Sequence, residues 1–153
     1  MRFIITVAGA ILIGVAGCSQ NAGEQRRQAQ LSAANAPRQA KDADSAIGQM
    51  ANDLLNAPAL NTGHQRTMVI TDVNNRTVDP TFSYEAFSLG LARSQVALVE
   101  SRAGGNPDLG LNITIDELPK LTTNYYQIIA TLTDQHTRKQ VWVSPAYVVP
   151  TTH

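Results

Sequence analysis

The sequence predicts an α+β or small α/β domain: one mixed sheet of about five strands with two or so helices on one face. That domain is expected to stand behind a signal peptide and a disordered tether. Three observations predict this arrangement. Apolar residues recur twice at helical spacing early in the region 42–150, and runs of strand periodicity fill most of its later part. The stretch before it, once past residue 17, holds Leu31 as its single large aliphatic residue.

The amino terminus reads as a leader. Met1-Arg2 supplies one positive charge, and Phe3 to Val15 is apolar apart from Thr6 and the glycines, shorter than a membrane-spanning helix. Val15-Ala16-Gly17-Cys18 then resembles the bacterial lipobox, an aliphatic residue and two small ones before a cysteine. Small residues let the chain enter a peptidase site, and the thiol accepts diacylglycerol. Cys18 is the only cysteine of the 153 residues, and it sits where that motif requires. Cleavage before Cys18 is expected to remove residues 1–17, and two or three acyl chains make a stable anchor where one is marginal. Ser19 rather than Asp follows the cysteine, which by the enterobacterial sorting pattern favours the outer membrane, facing the periplasm.

Residues 18–41 are read as the lipidated cysteine and a flexible linker. Gln, Ala, Asn and Arg dominate it, and such a segment cannot bury enough apolar surface to offset the entropy of ordering. Fully extended it reaches about 80 Å, and as a coil about 25–30 Å.

The domain is expected over residues 42–150. Ile47, Met50, Ala51, Leu54 and Leu55 share a helical stripe, with Asp42 and Asp44 at its amino-terminal end and Asn56-Ala57-Pro58 closing it. The β-branched run Thr67–Val73 predicts a strand, and Asn74-Asn75-Arg76-Thr77 a turn. Asp79-Pro80 opens a second helix, with Phe82, Ala86, Leu89 and Gly90 on one face and Phe87 and Leu91 beside them. Val96–Glu100 is a short strand, and Ala103–Pro107 a loop of structure-breaking residues. Leu111, Ile113 and Ile115 alternate with Asn112, Thr114 and Asp116, so Leu111–Leu118 is a strand that Pro119 ends. Tyr125–Thr133 and Gln140–Val149 form the last two, joined by a polar hairpin turn over 134–139.

Composition narrows the function. Twelve basic side chains face twelve acidic ones, so no cationic surplus exists to neutralise phosphates, and nucleic acid is not an expected partner. A single cysteine excludes an internal disulfide and a cysteine-cluster zinc site. His64, His136 and His153 lack metal-ligand spacing, and neither a nucleophile elbow nor a phosphate-cradling glycine loop is present. No catalytic residue, metal or cofactor is expected beyond the covalent lipid on Cys18, and the protein is not expected to be an enzyme. Trp142, Tyr125, Tyr126 and Tyr147 fall on strands, where aromatic rings fill cores or sheet faces, although such rings also anchor interfaces.

Three segments carry a family resemblance. Val69-Ile-Thr-Asp-Val-Asn-Asn-Arg-Thr77, then Tyr125-Tyr-Gln-Ile-Ile-Ala-Thr-Leu-Thr-Asp134, then Val141-Trp142, resemble the LpoB family in order and spacing over about 110 residues. Its members are outer-membrane lipoproteins that activate class A penicillin-binding proteins, the peptidoglycan synthases. The stretch 101–111 is shorter than in that family, so either a helical crossover is lost or the chain is a divergent relative with a trimmed sheet. The resemblance implies a monomeric domain that docks on such a synthase, with Asn75, Arg76 and Tyr126 as candidate contacts. Arg76 has an alternative structural reading, as the partner of Asp72 or Asp79. The other functional reading is an envelope-assembly or secretion-associated lipoprotein of the CsgG-like fold, which shares the strand–helix–strand opening and is expected to form rings.

Overall fold

In the computed structural model, which describes residues 36–98, 106–119 and 124–151, the folded unit spans Asn35–His153. The expected lipobox residues Val15, Ala16 and Gly17, the acceptor Cys18, most of the linker, Val99, Glu100 and residues 103–105 lie outside the described residues. Among the described residues one mixed sheet and two helices make an α+β fold. Among the described residues no helix is long and apolar enough to cross a membrane.

Chain order runs β1 (Arg38–Gln39), α1 (Ala43–Leu55), β2 (Met68–Asn75), α2 (Tyr84–Arg93), β3 (Leu109–Leu118), β4 (Tyr125–Asp134), β5 (Gln140–Val143) and β6 (Tyr147–Pro150). Across the sheet the order is β1-β6-β4-β3-β2, and β5 joins the β6 side of β4 farther along that strand. Pairing is parallel for β1–β6 and β2–β3, and antiparallel for β3–β4, β4–β5 and β4–β6.

Helix α1 begins where its cap says it should. Asp42 is extended, and its carboxylate accepts the Ser45 N–H at 2.8 Å. Ala46, Ile47, Met50, Ala51 and Leu54 are buried, while Leu55 is 40% exposed. Leu55 therefore leaves the expected stripe, because the buried arc centres on residues 46, 50 and 54 and a further step of about 100° turns away from it.

Helix α2 starts at Tyr84, five residues after the expected opening at Asp79. Asp79-Pro80 instead makes a turn, with the Asp79 carboxylate accepting the Thr81 N–H at 2.9 Å. Ser83 is the cap, accepting from the Ala86 N–H at 3.2 Å. Phe87 and Leu91 are the buried pair, and Leu89 is 58% exposed, so the face is rotated from the one expected. A Cβ on Gly90 would lie 2.4 Å from Ile47 Cγ2, so the missing side chain is what lets α2 approach α1 closely.

The sheet's inner face is built from register. Leu111 pairs with Leu132, Ile113 with Ala130 and Ile115 with Ile128, all fully buried in one core with residues of both helices. In β2 the alternation would send Asp72 into that core, and a bulge prevents it. Ile70 pairs with Leu111 but Asp72 with Asn112, and the Thr71 hydroxyl donates to the Leu111 carbonyl at 3.0 Å. Val73 returns to the core, and Asn75 follows it onto the same face.

Two expected strands change, and one strand forms where a linker is expected. The expected Gln140–Val149 is two strands, because Pro145 has no N–H for a ladder and Ser144 takes over at Ala130. The Ser144 N–H donates to the Ala130 carbonyl at 2.8 Å, and its hydroxyl accepts the Ala130 N–H at 2.9 Å. The expected strand Val96–Glu100 is represented among the described residues by one parallel bridge, Leu98 to Met68. Arg38–Gln39, expected within the linker, forms β1. The Arg38 N–H donates to the Ala146 carbonyl just before β6 at 2.8 Å, and the Ala40 N–H to the Val148 carbonyl of β6 at 2.9 Å. The Arg38 guanidinium also pairs with Asp53 of α1 at 2.7 Å, and Asp53 accepts the buried Tyr147 hydroxyl at 2.6 Å. Burial and that carboxylate push the Tyr147 hydroxyl far above its ordinary range, so it stays a donor.

Candidate functional site

The three candidate contacts converge on one end of the sheet. Asn75 is the last residue of β2 and Arg76 follows it, Tyr126 is the second residue of β4, and β3 lies between them with Ile115 opposite Asn75 and Glu117 opposite Tyr126. Fifty residues separate the two segments in sequence, and the β2–β3–β4 register unites them.

Asn75 and its neighbour Asn74 are strand residues rather than the expected turn. The Asn75 amide donates to the Asp79 carbonyl at 2.8 Å and the Phe82 carbonyl at 3.1 Å. Its oxygen accepts the Thr77 N–H at 2.9 Å and the Thr77 hydroxyl at 2.7 Å. Asn75 thus shapes the 77–82 loop and has little left for a partner. It reaches that loop because the Thr71 bulge set it on the inner face.

Arg76 lies beyond the strand, its N–H bonded to the Ile115 carbonyl. The guanidinium pairs with Asp116 at 3.2 Å, with its side chain 60% exposed, and not with Asp72 or Asp79. The bulge turns Asp72 toward Asn112, and Asp79 is drawn into its own turn. Of the three candidates, Arg76 is the one whose functional end is open to a partner.

Tyr126 is 3% exposed, and its ring meets Phe82 edge to face, with centroids 5.1 Å apart. Burial first, then the negative charges of Asp79 and Glu117 and a hydrogen bond to Asp79, push the hydroxyl above its ordinary range. A protonated phenol therefore faces the Asp79 carboxylate at any physiological pH. Of the other aromatic residues, Tyr147 is buried, while Trp142 and Tyr125 are half-buried.

Tyr126 and Phe82 border a hollow of about 270 Å³. Lys41, Asp42, Ala43 and Asp44 at the start of α1 line one side, Asp79 and Thr81 another, and Val149 and Pro150 of β6 a third. The Ser45 N–H holds the Asp42 carboxyl below its usual range. In the sequence Asp42 and Asp44 read as caps, Asp79 as a helix opener and Phe82 as part of a helix face. Nothing along the chain signals that they meet Tyr126, since four separate segments contribute. A second groove, about 480 Å³, runs between α2 and β2 beside Ile70, Tyr84, Ser88 and Leu98. Among the described residues no group of three His, Cys, Asp or Glu side chains is placed to hold a metal ion.

What fold and site define together is a small α+β domain with an open basic contact and an aromatic-floored hollow at the same end. No family model matches the sequence, and no curated protein matches it. Among solved structures the chain is similar to the LpoB C-terminal domain from Escherichia coli, at 14% identity and a TM-score of 0.49, over 72% of this chain and 98% of that one. It is similar also to the LpoB C-terminal domain from Salmonella enterica (15%, TM-score 0.46, 69% and 96%). Lipoprotein GNA1162 from Neisseria meningitidis is a third (14%, TM-score 0.39, 56% and 81%).

Proposed function

We propose that this protein is an outer-membrane lipoprotein, held through acylated Cys18, whose folded domain binds and activates a class A penicillin-binding protein in the periplasm. The observation that carries the reading is the meeting of Asn75-Arg76-Thr77 with Tyr125-Tyr126-Gln127 at one end of the sheet. Those are the closing part of one segment that resembles the LpoB family (Val69–Thr77) and the opening part of another (Tyr125–Asp134), and they meet where the Arg76 guanidinium is open to a partner. Docking works by preferring one conformation of the synthase, which shifts its population toward the active form. The tether confines the domain near the membrane and raises its effective concentration there.

Binding is measured with the lipid-free chain from Ser19 onward against each class A penicillin-binding protein of the source organism. One of them is expected to bind, and Arg76→Ala to weaken that binding about tenfold without moving the urea midpoint of the domain. Absence of binding to every one of them overturns the proposal.

A further inference from the structure

The hollow beside Tyr126 has a chemistry more specific than its position. Its floor is apolar and aromatic: Phe82 and Tyr126 edge to face, with Val149 and Pro150 alongside. Its rim carries three carboxylates, Asp42, Asp44 and Asp79, against one ammonium, Lys41. Backbone bonds hold two of the carboxylates in place. Asp42 accepts from Ser45, and Asp79 accepts from Thr81 while facing the Tyr126 hydroxyl. Asp44 is exposed on the first turn of α1.

Size selects the class of occupant. At about 270 Å³ the hollow has room for one long side chain and is below the usual range for a cofactor or drug-sized ligand. Charge selects the kind. An anion meets three carboxylates and one ammonium, and a neutral aliphatic chain leaves the rim unused. A methylene stem ending in a cation satisfies both parts, with the stem along the rings and the head among the carboxylates. Arginine fits better than lysine, because its planar fork bonds two carboxylate oxygens at once.

We infer that this hollow receives an arginine side chain presented by the partner protein. The inference rests on the reading that the domain docks on a protein, and it names the chemistry of the partner's anchor residue. Part of the fit exists before binding, since Asp42 and Asp79 are held by the backbone whether or not a guest is present.

The test titrates the ¹⁵N-labelled chain from Ser19 onward with N-acetyl-arginine methylamide. N-acetyl-norleucine methylamide serves as the apolar control and N-acetyl-glutamate methylamide as the anionic one. Shifts confined to Asp44, Phe82, Tyr126 and Val149 are expected with arginine. They should saturate in the tens of millimolar and be about fivefold weaker with norleucine. Asp44→Asn, which removes a surface charge and no internal bond, is expected to weaken the arginine titration. Shifts that are absent, spread over the domain, equal for norleucine, or unchanged in Asp44→Asn overturn the inference. The two readings fail separately. If a synthase binds the native chain and Asp44→Lys equally and the arginine probe does not titrate, the hollow is not the anchor site while docking stands. If the probe titrates as described and no synthase binds, the hollow's chemistry stands and the synthase reading falls.

Discussion

At the scale of single residues, Asn75 has the clearest structural task, because both ends of its amide are engaged by the 77–82 loop. Replacing it with alanine removes the hydrogen bonds it gives the Asp79 and Phe82 carbonyls and those it takes from the Thr77 N–H and hydroxyl, and a loss of about 1–3 kcal/mol is expected, read from urea unfolding. Asn75→Asp is expected to fare no better, since a carboxylate would face the carbonyls of Asp79 and Phe82. Asp134 supplies a pH-dependent counterpart. The Thr137 N–H first, then the Arg66 guanidinium, hold its carboxyl far below the usual range. A folded value below the unfolded one means its stabilisation is complete above about pH 4 and is lost as pH falls further. Asp134→Asn is therefore expected to unfold at lower urea than the native chain at neutral pH, with the gap narrowing as acid is added below about pH 4. An unchanging gap would contradict this. The three candidate contacts were legible in the sequence as residue types in motifs. Their partners were not, because Asp116 lies forty residues from Arg76 and only strand register brings it near.

At the scale of elements, the carboxyl end of α2 shows how a local rule is met with an unusual residue. The Gln95 N–H bonds to the Ala92 carbonyl and the Val96 N–H to the Leu91 carbonyl, with Val96 buried, which is a Schellman close. Gln95 takes the left-handed conformation there (φ 64°), where glycine has no steric penalty. Gln95→Gly is expected to raise stability by about 0.5–1 kcal/mol, visible as a higher thermal midpoint. A lower one would show that the glutamine side chain contributes more than its backbone costs. The core faces of α1, β3 and β4 were readable from periodicity, because each is long and keeps a single period. Misreadings fell where one residue overrides the pattern. Ser83 outcompetes Asp79 as a helix cap, Thr71 inserts a bulge, and Ser144-Pro145 splits a strand, since Pro145 has no N–H to donate and the Ser144 hydroxyl takes the Ala130 N–H. β1 escaped notice for a different reason. A two-residue strand has no periodicity, and its place depends on Asp53, which holds Arg38 from α1.

At the scale of the whole molecule, the parts of the sequence are expected to divide the work: a lipid anchor at Cys18, a linker that sets reach, and a domain that carries recognition. The fold places the motif-bearing ends of β2 and β4 together and lays an arginine-sized hollow beside them. The general architecture followed from the order of helical and strand patterns. The hollow did not, since it exists only once α1, the 79–82 turn, β4 and β6 are packed. The most direct test of the central claim is the rate at which the bound class A penicillin-binding protein polymerises lipid-linked disaccharide, with and without the chain from Ser19 onward. A faster rate that saturates with the added chain, and a reduced gain with Arg76→Ala, is the predicted result. Tight binding with an unchanged polymerisation rate would contradict it and leave a lipoprotein that docks without activating.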